Sequence, residues 1–275
     1  MSAEGRARFA AAVRQEPVDL ARACLLVGAE VREDLDPETG LAALDALAAA
    51  ARPHVPAGCS PAEAARGLHR ALGELAGFAG SAQDYDDVRS SLLDEVLRRR
   101  RGLPLTLSVV WVEVAHRLGV PAAPVALPGH VVVALGAGSP VHVDPFDGGR
   151  TVEAAELAAL VRATTGGPLR PEHLDPADPV DLLQRLLNNV RALAARSGGS
   201  LADVRTRLWA VELSLLLPRH PLVLRRERGE LLVRLGDHLG GAAELDGWAA
   251  AVEGADPDAA EQARRAGRLA RSRLN

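Results

Sequence analysis

The sequence predicts an α+β fold in which a small sheet sits between long helical stretches. Three observations lead there. Residues 7–50 are rich in Ala and Leu at helical spacing. Residues 123–127, 131–135 and 141–144 are short β-branched runs parted by the turns PGH and GAGSP. From residue 182 amphipathic segments follow one another along the chain. The organisation expected is a helical segment over 1–80 packing on the core, an α+β core over 81–170, and a helical domain over 171–275.

In the first part, Val18, Leu20, Ala21, Cys24, Leu25, Val27 and Gly28 form one apolar stripe, and Leu41, Leu44, Leu47 and Ala48 a second. LDPETG between them supplies a turn, and Cys24 reads as a small core residue. Ser60, Pro61 and Glu63 make a capping box that starts a third helix. Cys59 stands just before it, where a thiolate would be favoured, but no sequence feature ties it to a base.

A fourth helix is expected over residues 87–100, stopping at Gly102. Tyr85, Asp86 and Asp87 then belong to its cap and first turn, or line a site. The run Arg98 to Arg101 complements the helix dipole, or offers an anion or partner site. LPLTLSVVWVEVAHRLGVP, residues 103–121, has the β-branched content of a strand. Pro104 at its start and Arg-Leu-Gly-Val-Pro at its end instead mark a buried helix. Glu113, His116 and Arg117 fall on that helix's partly exposed face.

After the three strands, a helix is expected over 153–162. The Pro/Gly-rich stretch 165–179 is the linker candidate. Helices follow over 182–195, 201–217, 222–239, 242–252 and 259–274. Turns at LLLPRHP and GADPD part them at a period of about 34 residues, which suggests tetratricopeptide-type stacking. Trp209 and Trp248 read as core packing within it.

Composition removes several functions. The net charge of −4 is spread along the chain, all 32 basic side chains are Arg, and aromatics make up 3% of residues. A nucleic-acid partner would need a one-sided basic excess or stacking platforms, and neither is present. The two cysteines form no CxxC pair and no zinc spacing, so a reduced, cytoplasmic chain without cofactor or metal is expected. No apolar run near residue 1 has the length of a signal peptide or membrane span, so no membrane partner is expected.

The chemistry concentrates in the middle. His130 opens an apolar strand in LPGHVVV, and Asp144 ends another in VHVDPF. A helix N-terminus followed by a strand bearing His and a strand bearing Asp is the layout of cysteine-type acyl transfer. The helix end lowers a thiol pKa, the imidazole takes the proton, and the carboxylate fixes the tautomer. The bland alternative is a structural His–Asp hydrogen bond. His142, two residues before Asp144 on the same strand face, would complete a His/His/Asp metal set with His130, or line a binding site.

GFAGSAQDYDDVRSSLLDEVLRRRRGLPLTLSVVWVEVAHRLGVP, then PGH, HVDPFDGG, and a tail with NNVRALAA and RERGELLVRLGDHLGGAAEL, resembles the SirB-type branch of the transglutaminase-like superfamily. The resemblance runs over residues 20–252. It implies a papain-like domain with a small antiparallel sheet, tetratricopeptide-like helices after it, and no firmly established activity. Catalytic members place a Cys fifteen residues before the Gly of a Leu-Gly-Ile-Pro segment. Counting back from Gly119 lands on Pro104, as is common in the SirB-type branch.

Proline offers neither a nucleophile nor a backbone N–H for an oxyanion. Ser108 lies about 40° around the helix from position 104 and roughly 6 Å further along it, so it is the nearest substitute, though a poor one. The expectation is a non-catalytic protein- or peptide-binding module. The alternative is an acyl-transfer or hydrolytic enzyme that uses Ser108, or His130 and Asp144 as an acid–base pair.

Overall fold

The computed structural model describes residues 3–32 and 34–274, which divide into two compact units, Met1–Leu186 and Leu187–Asn275. The first unit carries helices α1 (Ala3–Ala12), α2 (Leu20–Val31), α3 (Pro37–Ala51) and α4 (Pro61–Leu68) before the core. Asp19 and Asp36 cap α2 and α3 by accepting from the backbone N–H of Arg22 and Glu38. The LDPETG turn is therefore shorter than expected: Pro37 already belongs to α3, because its fixed φ suits a first helical turn. The Ser60/Glu63 capping box forms as expected. Past α4 the chain winds on as a π-helical stretch, His69–Leu75.

The single helix expected over 87–100 is broken. Two 3₁₀ turns, Ala82–Asp86 and Val88–Ser91, precede a short α5 (Leu93–Arg99). Acidic side chains cause the break by offering the backbone other partners. Asp84, 2% exposed, accepts from Ser81 N at 2.8 Å and Ser90 Oγ at 3.1 Å, while Asp87 accepts from Arg89 N at 3.0 Å.

The Arg98–Arg101 run is spent internally on Glu95, Asp87, the Ala76 carbonyl and Asp84 respectively. Residues 104–117 form α6 (Pro104–Arg117), buried along almost its whole length. Its punctuation outweighs its β-branched content.

The sheet is antiparallel in the order β1 (Ala122–Val125), β2 (Val132–Leu135), β3 (Val141–Asp144), β4 (Arg150–Thr151). Leu127 and Val131 lie outside the strands expected to hold them. β4 was not expected, since two exposed residues carry no periodic signal. α6 packs against β1 and β2 and also meets α2, α3, α4 and α5, with Leu107, Val110 and Trp111 fully buried.

α7 (Ala154–Thr165) brings Leu157 and Val161 against Val125, Leu127 and Val132. β1 is an edge strand. Residue 177 covers it, with Ala177 N donating to Pro124 O at 2.8 Å, and His116 Nε2 sits 2.8 Å from Ala122 O. Proline is tolerated there because an edge strand need not donate.

α8 (Pro179–Arg196) is followed in the second unit by α9 (Leu201–Ser214), α10 (Val223–Arg234), α11 (His238–Val252) and α12 (Pro257–Ser272). From α9 onward each helix packs on the next in sequence. α10 and α11 approach closely at glycines: a Cβ on Gly229 would lie 2.9 Å from Gly241 O, and one on Gly241 would lie 2.7 Å from Gly229 O. Arg228 spans three helices, with Nε 3.1 Å from Glu212 and Nη1 2.6 Å from Glu244. Trp248 is buried among Leu245, Ala249, Ala260 and Ala263, whereas Trp209 is half-buried.

Candidate functional site

His130 is positioned by a turn that its own sequence dictates. In Leu127-Pro128-Gly129-His130, His130 N donates to Leu127 O at 3.2 Å and Gly129 has φ +79°, the type II pattern with Pro first and Gly second. Asp144 closes β3 and caps the 3₁₀ turn Pro145–Asp147, its Oδ1 accepting from Phe146 N at 2.9 Å. The remaining oxygen, Oδ2, lies 2.9 Å from His130 Nε2, with the two side chains 12% and 13% exposed. The pair expected from the sequence is therefore hydrogen-bonded and mostly, but not wholly, covered.

Phe146 ties this pair to its surroundings. Its ring stands edge-on to His130 at 6.0 Å and to Tyr85 at 5.7 Å. It lies over Gly80, where a Cβ would come within 2.0 Å of the ring and 2.8 Å of Gly102 O. Gly80 N in turn donates to Phe146 O at 2.9 Å. The ring thus lies between His130 and Gly80, and Gly80 in turn approaches Gly102, two residues before α6.

Ser90 fixes the head of that helix: its carbonyl accepts from Leu103 N at 3.0 Å and Thr106 Oγ1 at 2.7 Å. Pro104, buried, is the first residue of α6.

Ser108 is fully buried, and its Oγ donates to Leu105 O at 2.7 Å. A sealed hydroxyl bonded within its own helix has no path to a substrate. Tyr85 is 43% exposed, with its phenol pushed up by burial and by the Asp144 charge, against a smaller opposing effect of Arg185. Asp86 is exposed beside it.

His142 does not join His130. Its imidazole is half-buried on a cavity of about 490 Å³ that Arg66, Val152, Leu157 and Leu174 also line, and its Nε2 is buried without a partner. Burial pulls that ring below its ordinary pKa. No group of three His, Cys, Asp or Glu side chains able to hold a metal forms among the described residues, so the His/His/Asp set does not assemble.

Glu113, His116 and Arg117 line a separate cavity of about 450 Å³ near the other end of α6, Glu113 roughly 13 Å along the axis from Pro104. Cys24 is buried, and burial pushes its thiol well above the ordinary range; Cys59 is half-buried.

Sequence reasoning missed Arg185. From α8 it donates through Nη1 to Leu127 O at 2.9 Å and through Nη2 to His130 O at 3.1 Å, clamping both ends of the turn that carries His130. Burial pulls its guanidinium below the usual range, partly offset by Tyr85. Its partners lie more than fifty residues away in sequence, and no local pattern pointed to them.

A buried helix packed on a small antiparallel sheet, with further helices before and after it, is the α+β architecture of papain/transglutaminase-like folds. The chain belongs to the transglutaminase-like superfamily, whose family model matches residues 38–188, and within it to the SirB-type branch. A UPF0162 protein of Xylella fastidiosa strain 9a5c is 35% identical over 184 residues, which is 65% of this chain and 64% of that protein. A UPF0162 protein of Pseudomonas aeruginosa is 33% identical over 204 residues, 72% of this chain and 73% of its own length. Protein SirB1 of Salmonella typhimurium is 26% identical over 167 residues, 58% of this chain and 59% of its own. The match thus spans less than two thirds of the Xylella protein's length. Among the described residues no helix is long and apolar enough to cross a membrane.

Proposed function

We propose that this protein is a non-catalytic member of its superfamily that binds protein or peptide segments. The observation that carries this is Pro104: the first residue of α6 has no nucleophile, while the His130–Asp144 pair is retained at 2.9 Å. Attack on an acyl group needs an activated nucleophile beside the base, and Ser108, bonded to Leu105 O, is not one. What remains is a polar pair flanked by the Phe146 and Tyr85 rings, a surface suited to holding an extended chain. The tail adds tetratricopeptide-like helix stacking, an arrangement suited to recognition. The compartment proposed is the cytoplasm, on the absence of zinc or disulfide cysteine patterning.

The competing reading is proton transfer by His130 with Asp144 as its orienting group, favoured by the intact hydrogen bond. A panel of peptide amide and ester substrates, with fluorophosphonate labelling, separates the two. No turnover and no labelling are expected. Turnover that His130→Ala abolishes would overturn the binding reading.

A further inference from the structure

Arg185 is a half-buried cation that pairs with no carboxylate among the described residues. Arg117, Arg191 and Arg228, each half-buried, hold Glu113, Glu227 and Glu212 respectively. Arg185 instead has two backbone carbonyls, and the Tyr85 phenol is near enough to act on its charge. A guanidinium carries five N–H donors, so two bonds to Leu127 O and His130 O leave donors over. Taking such a charge out of water without an anion is costly, and an anion brought to it gains a charge-assisted bond.

The setting narrows the anion. Tyr85 feels the charges of both Asp144 and Arg185, and the Asp144 charge repels a dianion more strongly than a single carboxylate. The rings of Phe146 and Tyr85, 5.7 Å apart, supply apolar surface for the chain that bears the carboxylate.

We propose that Arg185, with Tyr85 and Phe146 beside it, is a receptor for one carboxylate on a peptide, either the C-terminal group or a Glu or Asp side chain. This rests on the peptide-binding reading above and names the chemistry that the same site selects. Arg185 thereby does two things: it holds the His130 turn in place and presents its spare donors to the ligand.

The test is fluorescence anisotropy of the full chain against three labelled hexapeptide pools of randomised apolar sequence. One ends in a free carboxylate, one in an amide, and one in an amide with a single internal Glu. One carboxylate pool should bind about tenfold or more tighter than the plain amide pool, and which one does so identifies the source. Arg185→Gln should bring the ratio of acid to amide affinity close to one. Tyr85→Phe, at a 43% exposed position, should reduce that ratio about threefold and keeps the test available if Arg185→Gln fails to fold. Equal binding of all three pools, or an undiminished ratio in both variants, overturns the carboxylate receptor and leaves the binding module standing. Binding of none overturns both.

Discussion

Replacing Asp144 by Ala tests whether the His–Asp pair is an ordered part of the fold. The carboxylate accepts from Phe146 N and pairs with His130 Nε2, each at 2.9 Å, with the side chains 12–13% exposed. Each largely buried group left without its partner costs about 1–2 kcal/mol, so the variant should lose about 2–4 kcal/mol. Asp144→Asn keeps one acceptor oxygen and should lose roughly half as much. Trp111 is fully buried in the first unit, whereas Trp209 and Trp248 belong to the second. Urea unfolding followed by Trp111 fluorescence in a Trp209→Phe, Trp248→Phe background therefore isolates the unit that holds the pair. A loss below about 0.5 kcal/mol for Asp144→Ala would refute the reasoning, because it would mean the pair is already solvated.

Three further outcomes are expected. The His142 ring is pulled below its ordinary value of 6.5 by burial, so the unfolded chain takes up a proton that the fold resists. Stability is intact above about pH 6.5 and falls below it until the buried ring itself titrates; His142→Gln should show a smaller drop in urea midpoint between pH 7.5 and 5.5, and an equal drop contradicts this. Gly80→Ala would drive a methyl into the Phe146 ring, costing about 1–3 kcal/mol and displacing that ring from His130, which the His130 proton shifts in NMR would record. In the second unit, Glu227→Ala strips the carboxylate from Arg191 and Arg207 and should cost about 2 kcal/mol, visible as faster hydrogen exchange in α9 and α10.

The parts of this fold that were legible in the sequence were those written locally. The Ser60-Pro61-Ala62-Glu63 start and the Pro104 and Gly119 punctuation of α6 act within one helical turn, and the structure follows them. Residues 87–100 were misread because Asp84 and Asp87 compete for backbone donors, a choice that periodicity does not record. His130 and Asp144 were visible as strand-end polar residues in apolar runs. Arg185 was not, because it acts through bonds to carbonyls 55 and 58 residues away, and any residue can supply a carbonyl. The separation of His142 from His130 was likewise invisible. Sharing a strand face with Asp144 says nothing about the neighbouring elements that draw the two side chains to different surroundings.

The central proposal is that position 104 is the nucleophile's place and that proline there leaves the His130–Asp144 pair without a nucleophile. The most direct measurement is the pH dependence of iodoacetamide alkylation after Pro104→Cys, in a Cys59→Ser background with Cys24 sealed in the core. If position 104 is the nucleophile's place, a thiol there should react as a thiolate near pH 6, and His130→Ala should remove that reactivity. A thiol that reacts only above about pH 8, or whose profile ignores His130, would contradict the account.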